Sequence, residues 1–220
     1  ARSAIAQPLS GAQGLDLNAA QPPMRLGVFG GAFDPPHIAH VALVQTAIAQ
    51  LGLDAVRVLP TGQAWHKPRA LTDATHRLAM AQLAFGDLPG MVLDRREIDR
   101  TGPSFTVETL RELQAEQADA QFFLIIGADQ AHAFTTWHCW PEILQLAIIS
   151  VADRACAIGE FKPFEAEKSD PSRFWRLTMP ELDISSTGIR NRIAAQQSVS
   201  TLVCEAVARY IADHHLYQTV

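Results

Sequence analysis

The 220-residue chain lacks the features that would assign it to a membrane, to nucleic acid or to an oxidising compartment. No apolar run approaches the roughly 18 residues that a membrane-spanning helix needs. The net charge is −5, which argues against an extended surface for nucleic acid. The three cysteines are widely spaced and form no C-x-x-C pair, so we expect reduced thiols in a cytoplasmic protein.

Two cofactor signatures are also missing. The sequence contains no G-x-G-x-x-G segment, which argues against a redox protein that binds a dinucleotide. It contains neither H-E-x-x-H nor a Cys/His cluster, so no zinc site is predicted. Residues 1–23 show no continuous apolar segment and are a poor secretory signal, and we interpret them as a disordered tail.

From residue 24 onward, short apolar runs alternate with segments of helical periodicity. The predicted strands are RLGVFG, AVRVLP, GMVLDRREI (residues 90–98), QFFLIIG, IISVA and FWRLTM. The predicted helices lie between and after them, at residues 37–52, 72–85, 103–117, 137–147, 186–197 and 201–215. This alternation predicts an α/β fold with a doubly wound parallel sheet, in which ligands bind beyond the carboxyl ends of the strands.

The segment LGVFGGAFDPPHIAH, residues 26–40, places two glycines, two prolines and two histidines directly after a predicted strand. Gly30 and Gly31 allow the backbone to approach a ligand closely, because glycine has no side chain. His37 and His40 share one face of the following helix near its positive end. The segment therefore predicts a site for an anion such as a phosphate.

A second segment, DISSTGIRNRI, opens a helix near the end of the chain. Ser185, Ser186 and Thr187 are residue types that cap helices, and an apolar-periodic run follows them. Arg190 adds a positive charge close to the helix start. Backbone N–H groups, hydroxyls and a guanidinium together suit β- and γ-phosphate oxygens.

Taken whole, GGAFDPPHIAH resembles the G-x-F-x-P-x-H-x-x-H signature of the nucleotidylyltransferase superfamily, and ISSTGIR resembles its I-S-S-T-x-I-R motif. Three further segments, WHKP, PSFTVETL and IIGADQAHAFTTWHCW, resemble in order and spacing those of bacterial nicotinate-nucleotide adenylyltransferases. The likeness runs from about residue 24 to the C-terminus. It implies a single domain over residues 24–220 with a Rossmann-like nucleotidyltransferase fold.

The resemblance implies a role for each matched residue. The residues expected to act in catalysis are His37, His40, Lys67 and Arg190. Those expected to bind ATP are Gly30, Gly31, Phe33, Asp129, Arg154, Ser185, Ser186 and Thr187. Those expected to bind nicotinate mononucleotide are Thr106, Trp137 and His138. Trp137 is expected to stack on the ring, while Thr106 and backbone N–H groups near Trp137 and His138 are expected to hold the carboxylate.

The chemistry of these residues agrees with the implied substrate. A positively charged pyridinium ring is attracted to an indole face by about 0.5–2 kcal/mol, and a carboxylate suits amides at a helix start. Trp140 lies three residues after Trp137 and would share its helical face, so we expect one of the two rings to pack in the core. We assign Trp140 to that packing and Trp137 to the ligand. Family members often carry Gly in place of Ala39 and Tyr in place of His138, and the turn at residues 153–156 also departs from their pattern.

The expected reaction is transfer of AMP from ATP to nicotinate mononucleotide, giving nicotinate adenine dinucleotide and pyrophosphate. The attack would be in line, without a covalent enzyme intermediate, and Mg²⁺ would be bound mainly through the substrate phosphates. Three other acceptors stay open, namely phosphopantetheine, a cytidylyl acceptor and nicotinamide mononucleotide. A non-catalytic nucleotide sensor is a further alternative. The oligomeric state is open, a homo-oligomer included.

Overall fold

The computed structural model describes residues 22–62, 71–154, 163–180 and 182–218. Most of the predicted tail at residues 1–23 lies outside the described residues, and so does Lys67. The backbone of Arg154 is described, whereas its side chain is not.

Six parallel strands form one sheet in the order β3-β2-β1-β4-β5-β6. From β1 to β6 their bounds are Arg25–Gly31, Ala55–Pro60, Met91–Leu93, Gln121–Gly127, Ala147–Arg154 and Phe174–Met179. The neighbours β1 and β4 lie at the centre, where the strand order reverses. The predicted doubly wound α/β fold is confirmed, with its sixth strand.

Helices cover the sheet and extend beyond it. In the part of the chain that is described, the bounds from α1 to α9 are Ile38–Leu51, Ala74–Phe85, Arg96–Asp99, Thr106–Glu116, Ala128–His132, Trp140–Leu146, Glu165–Ser169, Ser186–Ala194 and Glu205–Asp213. Two short 3₁₀ helices, Phe134–Thr136 and Pro171–Arg173, complete the secondary structure of these segments. Gly52 ends α1 with a φ of 58°, a left-handed conformation that glycine adopts without strain.

The core has two layers because side chains alternate across the sheet. Along β4, Phe122 and Leu124 pack on one face with Leu110 of α4, while Phe123 packs on the other face with Val44 of α1. These residues are almost completely buried. A strand buried on both faces accounts for the continuous apolar run that the sequence shows there.

A third apolar cluster lies outside the sheet and joins the C-terminal helices to α2. Met80 of α2 is buried against Ile189 of α8 and against Val207 and Ile211 of α9. The helix that begins with the S-S-T segment is therefore anchored by apolar packing on its inner side.

The strand predicted over residues 90–98 is wrong in its second half. β3 ends at Leu93, and the short helix α3 begins at Arg96. Asp94 explains the change, because its carboxylate accepts the backbone N–H of Arg96 at 3.1 Å and closes a turn. The Arg96 guanidinium returns to the same carboxylate at 2.8 Å.

Candidate active site

The carboxyl ends of β1 and β4 form the crevice at which the strand order reverses. Among the described residues, a Cβ added at Gly127 would meet nothing within 4 Å, and one at Gly30 only a carbonyl oxygen at 4.0 Å. Gly31 differs, since its Cβ would lie 2.8 Å from the Phe33 ring. The backbone at Gly30 and Gly127 is thus open to a ligand, whereas Gly31 is required for packing.

The loop after β1 is anchored by Phe33. This residue has a φ of 47°, in the left-handed region, and only 1% of its surface is exposed. Its ring contacts the rings of Phe29, Phe85 and His40, with centroids 5.3–5.4 Å apart. The side chain of Phe33 lies beneath the loop, so any contact of this residue with ATP would come from its backbone.

The two histidines of the first motif lie against each other at the start of α1. Their rings stack with centroids 3.6 Å apart, and the backbone N–H of His37 donates to Nδ1 of His40 at 3.2 Å. With Nδ1 as acceptor, a neutral His40 carries its proton on Nε2. The pair is therefore held in one orientation before any ligand arrives.

His37 is the buried member of the pair, with 6% of its surface exposed. Burial lowers its pKa to about 4, so the ring is neutral at pH 7. Its Nδ1 atom is buried and has no hydrogen-bond partner among the residues that the structure describes. Buried polar atoms are rarely left in this state, and a phosphate oxygen close to the ring would supply both a partner and a reason for protonation.

The second motif docks directly onto this loop. Ser186 Oγ donates to the carbonyl oxygen of Pro35 at 2.9 Å, and Arg190 Nη1 donates to that of Asp34 at 2.7 Å. Arg190 Nη2 also donates to Thr187 Oγ1 at 3.0 Å. The residues joined are 151 and 156 positions apart, so the two motifs, distant in sequence, are in direct contact.

The hydroxyls at the start of α8 differ in whether a structural hydrogen bond already uses their proton. Ser185 Oγ accepts the N–H of Gly188 at 3.1 Å as the helix cap, and it retains a proton that it can donate. The Ser186 hydroxyl already donates its hydrogen bond to the carbonyl oxygen of Pro35. A phosphate at this helix start would therefore contact Ser186 through its backbone N–H rather than its hydroxyl.

A buried arginine beneath the loop is a site residue that the sequence analysis missed. Arg77 is 2% exposed, and its guanidinium donates to carbonyl oxygens of Thr61 at 2.7 Å, Thr72 at 2.8 Å and Ala32 at 3.1 Å. It ties the loops after β1 and β2 together. Its only sequence signal is its spacing of three and four residues from Met80 and Ala81, which places it on the apolar face of a predicted helix.

The residues expected at the pyridine ring gather at the carboxyl end of β4. Trp137 follows the 3₁₀ helix at residues 134–136 and packs its half-buried ring 5.3 Å from Phe134. The His138 ring lies 4.6 Å from Phe105, the residue that precedes Thr106 at the start of α4. Thr106, Trp137 and His138 therefore lie in one neighbourhood.

Two details of this neighbourhood differ from expectation. The backbone N–H of Trp137 donates to the Phe134 carbonyl oxygen at 3.0 Å, so this amide already has a hydrogen-bond partner. The helix predicted over residues 137–147 begins only at Trp140, because Cys139 has a φ of 52° and forms a turn. Trp140 also packs on Phe134, at 6.3 Å, so packing alone does not separate the two tryptophans.

The remaining predicted residues are on the rim or outside the described residues. Asp129 is exposed in the first turn of α5, directly after β4. Lys67 and the side chain of Arg154 are not described. Within the described ranges, no group of three or more His, Cys, Asp or Glu side chains is arranged to hold a metal ion, and no helix is long and apolar enough to cross a membrane.

Comparison with known proteins identifies the relatives of this chain. Residues 28–192 match the model of the cytidylyltransferase-like family, a range that includes both motifs. A probable nicotinate-nucleotide adenylyltransferase of Albidiferax ferrireducens is 62% identical over 195 residues, which cover 89% of this chain and 98% of the relative.

Solved structures agree on the fold. The nicotinic acid mononucleotide adenylyltransferase of Plasmodium falciparum, complexed with APC, superposes with a TM-score of 0.72 at 18% identity, covering 88% of this chain and 97% of the other. The same enzyme complexed with NaAD gives a TM-score of 0.71 at 19% identity, with the same coverage.

Proposed function

The chain belongs to the nicotinate-nucleotide adenylyltransferase family, and we propose that the site between β1, α1 and α8 performs the reaction of that family. The chain transfers AMP from ATP to nicotinate mononucleotide and releases pyrophosphate, giving nicotinate adenine dinucleotide. The observation that carries the assignment is the docking of Ser186 and Arg190 onto the loop that leads to His37. It brings two phosphate-binding motifs to one crevice at the centre of the sheet.

The reaction needs a positioned triphosphate and no enzyme nucleophile. A phosphate oxygen of the mononucleotide attacks the α-phosphorus in line, and the bond to the bridging oxygen of pyrophosphate breaks. His37 and His40 stabilise the negative charge that develops on the α- and β-phosphate oxygens. The lowered pKa of His37 means that its ring is neutral in the absence of ligand and gains a proton as the anion binds.

The start of α8 holds the leaving pyrophosphate. Its backbone N–H groups, the hydroxyls of Ser185 and Thr187 and the charge of Arg190 face the same region as the histidine loop. Lys67, which follows β2 in the sequence, supplies a further positive charge to the leaving group. Arg154 and Asp129 contact the nucleoside part of ATP, Asp129 through a ribose hydroxyl.

The second substrate lies at the end of β4. The pyridinium ring stacks on Trp137, and its carboxylate accepts hydrogen bonds from Thr106 and from the backbone amide of His138. Because the Trp137 amide is engaged by Phe134, His138 carries the larger part of this recognition. A carboxamide has a donor where the acid has an acceptor, so these groups favour the acid.

Mg²⁺ fits the site as an ion that arrives with the triphosphate. The described residues contain no acidic cage for it, and Mg²⁺ is commonly bound through substrate phosphates and water. When bound, it neutralises phosphate charge and assists the departure of pyrophosphate. The single domain at residues 24–220 and a place in the cytoplasm, where ATP is available, complete the proposal.

Pyrophosphate release tests the function. The full chain is incubated with ATP and Mg²⁺ plus either nicotinate mononucleotide or nicotinamide mononucleotide. We expect rapid release with the acid and a kcat/KM at least about tenfold lower with the amide. Preference for the amide would contradict the carboxylate assignment, and ATP binding without release would indicate a sensor.

A further inference from the structure

A hydroxyl from the last turn of the described chain reaches the histidine loop. The Tyr217 hydroxyl donates to Oδ1 of Asp34 at 2.7 Å, across 183 residues of sequence. The same oxygen lies 3.9 Å from Sδ of Met80, in the cluster that anchors α8. Tyr217 is thus held on one side by apolar packing while its hydroxyl points to the loop.

Asp34 is the residue through which the loop is held. It is 2% exposed, its Oδ2 accepts the Thr72 N–H at 3.3 Å, and its carbonyl oxygen accepts Arg190 at 2.7 Å. The charge of Asp34 acts on Arg77 and opposes the lowering of the Arg77 pKa by burial. A buried carboxylate needs its donors, and the Tyr217 hydroxyl is one of them, at 2.7 Å.

The position of Asp34 matters because it lies three residues before His37. Phe33, on its other side, is in a left-handed conformation that the surroundings must maintain. The Tyr217 hydroxyl holds the carboxylate of Asp34, and the Arg190 guanidinium holds its backbone carbonyl. Burial comes first among the causes that raise the pKa of Tyr217, and the bond to Asp34 follows, so the phenol stays protonated and remains a donor.

We propose that Tyr217 is a positioning residue for adenylyl transfer: its hydroxyl fixes the Asp34 carboxylate and so places His37 and His40 at the triphosphate. This inference rests on the proposed function of the loop. Tyr217 touches neither substrate. It acts through Asp34, and a small displacement of groups that stabilise a transition state is sufficient to slow the reaction.

The test compares two tyrosines of the C-terminal region. Tyr217→Phe removes the hydroxyl that contacts Asp34, and Tyr210→Phe removes the hydroxyl that lies 3.0 Å from Nδ1 of His76, away from the loop. Both are measured in the full chain by pyrophosphate release, with rates divided by the folded fraction from circular dichroism. We expect kcat to fall about tenfold in Tyr217→Phe, with KM for the mononucleotide changed less than about twofold.

A double variant separates positioning from general loosening. If Tyr217 acts through Asp34, adding Tyr217→Phe to Asp34→Ala, which removes the accepting oxygen, slows the reaction no further than Asp34→Ala alone. Multiplying losses would overturn the proposal, as would a wild-type kcat in Tyr217→Phe or an equal loss in Tyr210→Phe. If Tyr217→Phe does not fold, Asp34→Ala removes the same bond from its acceptor side, and a wild-type kcat there overturns the proposal.

The failure of this inference is distinguishable from failure of the function. An active wild type with an equally active Tyr217→Phe contradicts the positioning role alone. A wild-type chain that releases no pyrophosphate contradicts the function and the role together.

Discussion

The phosphate side of the site, residues 30–40 with 185–190, is built differently from the pyridine side, Thr106 with residues 134–140. On the phosphate side, buried Asp34 and Arg77 bind carbonyl and amide groups of loops far apart in sequence. On the pyridine side, His138 and Cys139 are exposed and the contacts are local turns and ring packing. The first is fixed by buried hydrogen bonds, and the second depends on one aromatic cluster around Phe134.

The difference suits the two ligands. A triphosphate undergoing reaction needs groups at fixed distances, and buried hydrogen bonds supply rigidity. A pyridinium ring needs a flat surface and a few donors, which an aromatic turn supplies with less precise geometry. Substitutions on the phosphate side should therefore lower kcat or stability, and those on the pyridine side should raise one KM.

The largest effect is expected for His37→Ala. Removing the imidazole takes away stabilisation of the developing charge, so kcat should fall about 10²–10³-fold while the far-UV circular dichroism spectrum stays unchanged. Pyrophosphate release under saturating substrates measures it. His76→Ala, which removes an imidazole on α2 outside the crevice, is the matched control and should keep wild-type kcat. Wild-type turnover in His37→Ala would exclude the ring from the reaction.

Arg77→Met should destabilise the phosphate side of the site and lower the free energy of unfolding. The carbonyl oxygens of Thr61, Thr72 and Ala32 lose a buried donor, so the free energy of unfolding should fall by about 2–4 kcal/mol. Urea unfolding measures it. Arg209→Met, which removes an exposed guanidinium paired with Glu205 on α9, should change stability by less than about 1 kcal/mol. Equal losses in both variants would contradict the bracing role of Arg77.

The pKa of His37 predicts a pH-dependent stability. The pKa of His37 is about 4 in the folded chain and 6.5 for a free imidazole, so between these values the unfolded chain binds the extra proton. Stability from this residue is present above pH 6.5 and is lost as the pH falls towards 4. Between pH 7 and pH 4.5 the wild type should lose about 1–3 kcal/mol more than His37→Gln in urea unfolding. Parallel losses would show that His37 titrates normally.

The smallest expected effect distinguishes Trp137 from Trp140 as the residue that stacks on the pyridinium ring. Trp137→Ala should raise KM for nicotinate mononucleotide about tenfold, because stacking and cation–π attraction are lost, with KM for ATP unchanged. Trp140→Ala is the matched control and should lower the melting temperature without changing either KM. A raised KM in Trp140→Ala alone would reverse the assignment.

Much of this architecture follows from the sequence because its signals are local. Apolar runs predict the strands, helical periods predict the helices, and the G-x-F-x-P-x-H-x-x-H segment spans only ten consecutive residues. The strand at residues 90–98 fails for an equally local reason, the turn that Asp94 closes. The periodicity of an apolar run does not show which residue will cap a turn.

The supports beneath the loop are harder to predict because they are long-range. Tyr217 and Asp34 are polar residues with no special spacing, and only the fold brings them within 2.7 Å. Arg77 sits on a helix where a basic residue usually points to water, and its burial is revealed by the carbonyl groups around it. Local pattern identifies the groups that face the ligand, and tertiary structure identifies those that hold them.

The bond between Asp34 and Tyr217 joins two residues that the ribosome produces at different times. The ribosome produces the glycine loop and α1 early, whereas the phenol that fixes the loop emerges nearly two hundred codons later. A nascent chain can complete the β1–β2–β4 pairing first, but its catalytic loop matures only when α8, α9 and residue 217 have been translated. Shortened products that end before Tyr217 would therefore carry a sheet without a finished loop.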